Sequence, residues 1–163
     1  MPNKRITRNE NLKWLTKEHH YGLLATWRIN QAITTRIDTD RIKKYVFFFW
    51  ENYLNRHFDE EEKLLFITIK DHEISEALQQ HNNIRTIIKK LQSGVTYEFM
   101  LLQQFAEKLE TQIRYEERIL FPYFEKILTG KELKSIGLAL EMSHPVTTHS
   151  NYADEFFGDH LSK

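Results

Sequence analysis

Residues able to bind a metal recur at a four-residue interval inside long apolar stripes of helical period. His57 and Glu61 form one such pair, Gln112 and Glu116 another. On an α-helix, positions i and i+4 stack on one face. Each pair therefore aims two lone-pair-bearing groups at the same side, among residues patterned as core. Buried ionisable groups are costly unless something pairs with them. A metal ion is the simplest shared partner, so the pattern points first to a metal-binding helical bundle.

Breakers are scarce, 5 Gly and 3 Pro in 163 residues, which leaves long uninterrupted helices as the expectation. Thr7 and Glu10 have capping-box spacing and predict a first helix running to about Arg36. The Asp38 to Asp40 stretch predicts the cap of a second, to about Ile69. A third is expected over roughly Glu73 to Gln92, ended by Ser93-Gly94. A fourth is expected from about Val95 to Leu128, kinked near its end by Pro122 and stopped by Gly130. A shorter amphipathic piece should follow over roughly Glu132 to Met142, with a further turn or two from Asn151. The expected fold is all-α, an up-down-up-down antiparallel four-helix bundle. The bundle should occupy residues 1–130 and a helical C-terminal extension residues 131–163.

Composition narrows the function classes. The 23 basic residues balance 23 acidic ones, so no nucleic-acid or acidic-membrane partner is expected from the net field. Cysteine is absent, which removes disulfides, thiolate zinc sites and thiol nucleophiles together. No apolar run follows the basic N-terminus, and the apolar cluster from Tyr45 to Trp50 is too short to span a bilayer. A cytoplasmic protein without a leader is the expectation.

The polar residues that fall on the apolar stripes are His19, His57, Glu61, His81, Gln112 and Glu116. Imidazole and carboxylate together suit iron, manganese or zinc, and carboxylates one turn from another ligand can bridge two ions. The absence of thiolate argues against a structural zinc site. His19 shares its phase with Leu12, Leu15 and Leu23, whereas His20 follows a more polar stripe. Two alternatives stand beside the metal protein. One is a regulatory or interaction bundle without metal. The other is a ferritin-like oxidase, disfavoured because its Glu precedes a His by three whereas here Glu follows by four. No nucleophile–base pair emerges, so enzymatic activity stays open.

Four segments together resemble the hemerythrin-like (HHE cation-binding) family: Lys17-Glu18-His19-His20, His57-Phe58-Asp59-Glu60-Glu61, His81 with Ile84-Arg85, and Ile113 through Pro122, which contains Glu116-Glu117-Arg118. The resemblance covers roughly residues 9 to 128. It implies a four-helix bundle with non-haem iron, usually two ions, in proteins that carry or sense dioxygen, respond to nitric oxide or assist iron–sulfur cluster repair. Carried over residue by residue, the implied ligands are His19, His57, Glu61, His81 and Glu116. Gln112 stands where the family pattern has a histidine, and Ala77 where the oxygen-carrying branch has a second one.

An amide oxygen is a weaker donor than imidazole. His57 and His81 are expected mainly on one ion, His19 and Gln112 on a second and weaker position, with Glu61 and Glu116 between them. Trp50, Tyr53, Leu54 and Phe105 should form a dry shell, within which Tyr53 or Tyr115 could meet a small ligand. The run Asp59 to Glu62 reads as a solvated turn apart from Glu61, and Glu117 as a surface partner of Arg114 or Lys126. Phe48 and Phe66 should lie opposite His57, covered either by a homodimer contact or by the tail that carries Phe156 and Phe157. His72, His144, His149 and His160 read as surface residues.

Overall fold

The computed structural model describes residues 7–143 and 152–156. All regular elements among them are helical. Asn9 rather than Thr7 starts the first: its side chain accepts from the Asn11 amide at 2.9 Å and caps a 3-10 turn, Glu10–Leu12. Helix α1, Lys13–Thr34, continues from that turn. It ends where Arg36 takes a positive φ of 58° and the Ile37 amide returns to the Ala32 carbonyl.

The second rod is composite. Asp38 caps α2, Thr39–Phe49; a π-helical turn, Trp50–Leu54, leads into α3, Asn55–Glu60; a second π-helical turn, Glu61–Leu65, follows. Helix α4 spans His72–Gln92 and stops at Gly94, whose φ of 72° suits a residue without Cβ. The last long rod joins α5, Glu98–Tyr115, through a third π-helical turn, Glu116–Leu120, to α6, Phe121–Ile127. Helix α7 spans Gly130–Ser143. Gly130 thus opens a helix instead of closing one. Thr129 and Glu132 form a reciprocal capping box there, with Thr129 N to Glu132 at 2.7 Å and Glu132 N to Thr129 Oγ1 at 3.1 Å.

The π turns correct the expected phases. Each absorbs one extra residue, so a nine-residue separation from His57 places a side chain about 80° away instead of about 180°. Phe66 is therefore buried, stacked on Phe124 with ring centroids 6.3 Å apart. Phe48 is half-buried, and Tyr152 covers it at 4.9 Å. Phe156 is fully buried against Tyr45, so segment 152–156 provides the cover expected of the tail. Pro145, Asn151, Phe157, His144, His149 and His160 lie outside the described residues.

Helix α5 is the central post: α1 and α4 pack mainly on it, and α2 touches it as well. Buried apolar residues form two clusters. One runs through Ile29, Val46, Phe58, Ile84 and Phe105. The other runs through Leu15, Leu65, Phe66, Phe121 and Leu140. Between them sits a layer of buried polar groups.

Candidate metal centre

All six polar residues singled out by phase meet in that layer. His19 comes from α1, His57 from α3, His81 from α4 and Gln112 from α5; Glu61 and Glu116 each open a π-helical turn. None of the six is more than 3% exposed. One atom from each of His19, His57, Glu61 and Glu116 falls within a set spanning at most 4.8 Å.

The two carboxylates face both ways. Glu61 sets Oε1 at 2.8 Å from His57 Nε2 and 3.3 Å from His19 Nε2, and Oε2 at 3.2 Å from His81 Nε2. Glu116 sets Oε2 at 3.0 Å from His19 Nε2 and Oε1 at 3.0 Å from His81 Nε2. His19 and His57 thus share one side, with ring centroids 4.8 Å apart. His81 occupies the other side with Gln112, whose amide nitrogen lies 3.0 Å from His81 Nε2 and also contacts Glu116 Oε1. The grouping differs from the expected one, which paired His57 with His81. His19 of α1 and His57 of α3 meet Oε1 of Glu61, whereas His81 of α4 meets Oε2.

Several of these atoms are buried yet make no hydrogen bond: His19 Nε2, His57 Nε2, both oxygens of Glu61, Gln112 Oε1 and Glu116 Oε2. Buried polar atoms are normally satisfied. Nitrogen and oxygen atoms bearing lone pairs, crowded together in this way, are what a cation would hold, so the donor set fits a metal.

An outer layer of acids escaped the sequence analysis. The imidazole Nδ1 of His19 lies 2.6 Å from Glu117, that of His57 3.1 Å from Glu18, and that of His81 3.0 Å from Glu62. Glu117 is thus no surface partner of Arg114, which pairs with Glu110 instead. Nor is the acidic run merely solvated, since Glu60 and Glu61 are buried and Glu62 is half-buried. A signal was present. Each outer acid is the chain neighbour of an inner residue, and a helical neighbour points about 100° away, toward the adjoining rod.

Charge follows from this packing. Burial works against a charged imidazole at His57, but Glu61 and Glu18 overturn it and hold the group at about 9. At His81, burial is likewise outweighed, by Glu116, Glu61 and Glu62, and the group rises to about 10. Burial and the neighbouring Glu61 charge push Glu116 up. Glu61 is held well below the usual carboxylate range: burial opposes this, but His57, His19 and His81 prevail.

Beside the His19 and His57 side lies a mostly apolar cavity of about 10 Å³, lined by Gly22, Phe49, Tyr53, Leu54 and Ile113 along with the site residues. That volume suits one molecule about the size of water. Tyr53 reaches this cavity, whereas the Tyr115 hydroxyl is spent on the Glu73 carbonyl at 3.0 Å. Gly22 matters here because a Cβ would come within 2.5 Å of the Ile113 side-chain tip.

The family model described as the hemerythrin HHE cation binding domain matches residues 10–124. No curated protein and no solved structure matches the chain. No helix among the described residues is long and apolar enough to cross a membrane.

Proposed function

The chain belongs to the hemerythrin HHE cation-binding family, and from that premise we propose that it is a non-haem iron protein that binds or senses dioxygen or nitric oxide, or handles iron. Its long rods would form the up-down-up-down four-helix bundle over residues 1–130, with 131–163 as the extension. His19 and His57, with one oxygen each from Glu61 and Glu116, would hold one ion. His81 and Gln112, with the other two oxygens, would hold a second. Imidazole and carboxylate without thiolate suit iron and also admit manganese or zinc.

The observation that carries the reading is the set of buried donor atoms at the centre that lack hydrogen bonds. The two sides are unequal. One offers two imidazoles, the other one imidazole and a neutral amide. A half-turn of the Gln112 amide would bring its oxygen toward His81 and Glu116, and even then the donor is weak. The consequence is one tight and one labile position, a degenerate di-iron site that approaches mono-iron. Iron in such a site would supply open coordination positions for a small molecule, and the small apolar cavity lies beside His19 and His57.

A second reading, a metal-free interaction bundle, draws on the contacts Gln112 makes with His81 and Glu116, which use its nitrogen without any cation. Metal content separates the two. After expression in iron-supplemented medium without a histidine tag, the wild type should retain iron. His57→Ala should abolish retention, and Gln112→His should raise the stoichiometry toward two. Metal analysis that finds no iron in the wild type, or no change in either variant, sinks the proposal.

A further inference from the structure

The three imidazoles are held alike. Each lies against a carboxylate through Nδ1, and each of those carboxylates faces a guanidinium. Arg8 meets Glu117 at 3.0 Å, Arg85 grips both oxygens of Glu62 at 2.7 and 2.9 Å, and Arg56 approaches Glu18 at 3.8 Å. The pattern runs in one sense from rod to rod. Glu18 of α1 serves His57 of α3, Glu62 serves His81 of α4, and Glu117 serves His19 of α1.

An imidazole that donates from Nδ1 must present a lone pair at Nε2 when neutral. Nε2 is the nitrogen that all three histidines turn toward Glu61, and that His19 and His81 also turn toward Glu116. Each carboxylate is placed between a guanidinium and an imidazole Nδ1, oriented to accept from the ring. His81 is pinned further: Phe58 stacks on it at 3.8 Å with planes 11° apart, and Phe66 lies 5.4 Å away. Rotation of this ring is blocked, and only the placement of its proton remains to be set.

Resting on the metal reading above, we infer that Glu117 and Glu62 are positioning residues that set the two metal positions separately, Glu117 through His19 and Glu62 through His81. Glu62 thereby offsets part of what Gln112 fails to donate on its side. Partners of this kind alter metal affinity by roughly 10–100-fold.

The test titrates full-length protein anaerobically with Fe(II), and with Co(II) as a spectroscopic probe, following each binding event. Glu62→Gln should weaken the looser event roughly 10–100-fold, change its Co(II) ligand-field bands and spare the tighter event. Glu117→Gln should do the reverse. A merely structural role would lower thermal stability and weaken both events together, which overturns the inference. Long-range ¹H–¹⁵N spectra of zinc-loaded wild type read the tautomers without any substitution: protons on Nδ1 of His19 and His81 are expected, and a proton on Nε2 of either overturns the inference. Wild type that binds no metal sinks the functional reading as well. Wild type that binds metal while both variants behave like it sinks this inference alone.

Discussion

His81 has no exposed surface, two phenylalanine rings beside it and three carboxylates around its nitrogens. In metal-free protein a proton does there what a cation would do, because Arg85 offsets only Glu62 while Glu61 and Glu116 face the histidines. His57 and His81 sit at about 9 and about 10 when folded, against an ordinary 6.5. The folded values are raised, so protonation stabilises the fold fully below pH 6.5 and that stability is lost as pH rises through 9 and 10. The Tm of metal-free protein should therefore fall by at least about 2 °C from pH 6.5 to 10, since even 1 kcal/mol is worth roughly 2–4 °C in a chain of this length. Calorimetry with chelator present measures it; a flat or rising Tm across the window contradicts the assignment. At this scale the inner residues were legible, because helical phase selects a face from sequence alone. The outer acids were missed because Glu18, Glu62 and Glu117 point sideways, and a periodicity count reads sideways as outward.

Among the elements, the π-helical turns decide most. Two of the three begin at the inner carboxylates, Glu61 and Glu116. In the turn that starts at Glu116, the Phe121 amide donates to the Glu116 carbonyl. The next donor in that register would be residue 122, which is proline and has no N–H. The Glu117 carbonyl is left over, and Arg8 donates to it at 2.6 Å while also holding the Glu117 carboxylate. Arg8→Ala should destabilise the fold by about 1–3 kcal/mol by leaving these part-buried acceptors short of a donor. Urea unfolding measures the loss; a change within about 0.5 kcal/mol would mark the contact as an ordinary surface one. Pro122 by itself predicts a kink, and the break in register comes from the π-helical turn before it. Apolar spacing carries a period but does not announce where one residue slips, so Phe66 lies in the core and not on the far face that the spacing predicts.

Across the whole molecule, segment 152–156 closes over α2. Asp154 pairs with Arg41 at 2.7 Å, Tyr152 covers Phe48, and Phe156 is buried against Tyr45. The ion pair is substantially exposed and worth at most about 1 kcal/mol. The phenylalanine dominates: Phe156→Ala should cost about 3–5 kcal/mol, while Asp154→Ala stays within about 1 kcal/mol. Chemical denaturation ranks the two. If Phe156→Ala matches Asp154→Ala, the tail is not part of the core. Loss of this cover should also make size-exclusion elution concentration-dependent, as Tyr45 and Phe48 become exposed.

The order of amino acids was enough to determine helical class, the long rods and the six inward polar residues, because each follows from a repeat near 3.6 and from the cost of burying a lone charge. Which imidazoles face each other across the two carboxylates, and which acid steadies each ring, were decided by tertiary structure alone. Those relations depend on the directions from which rods approach one another, and no interval along a single chain encodes a direction between two.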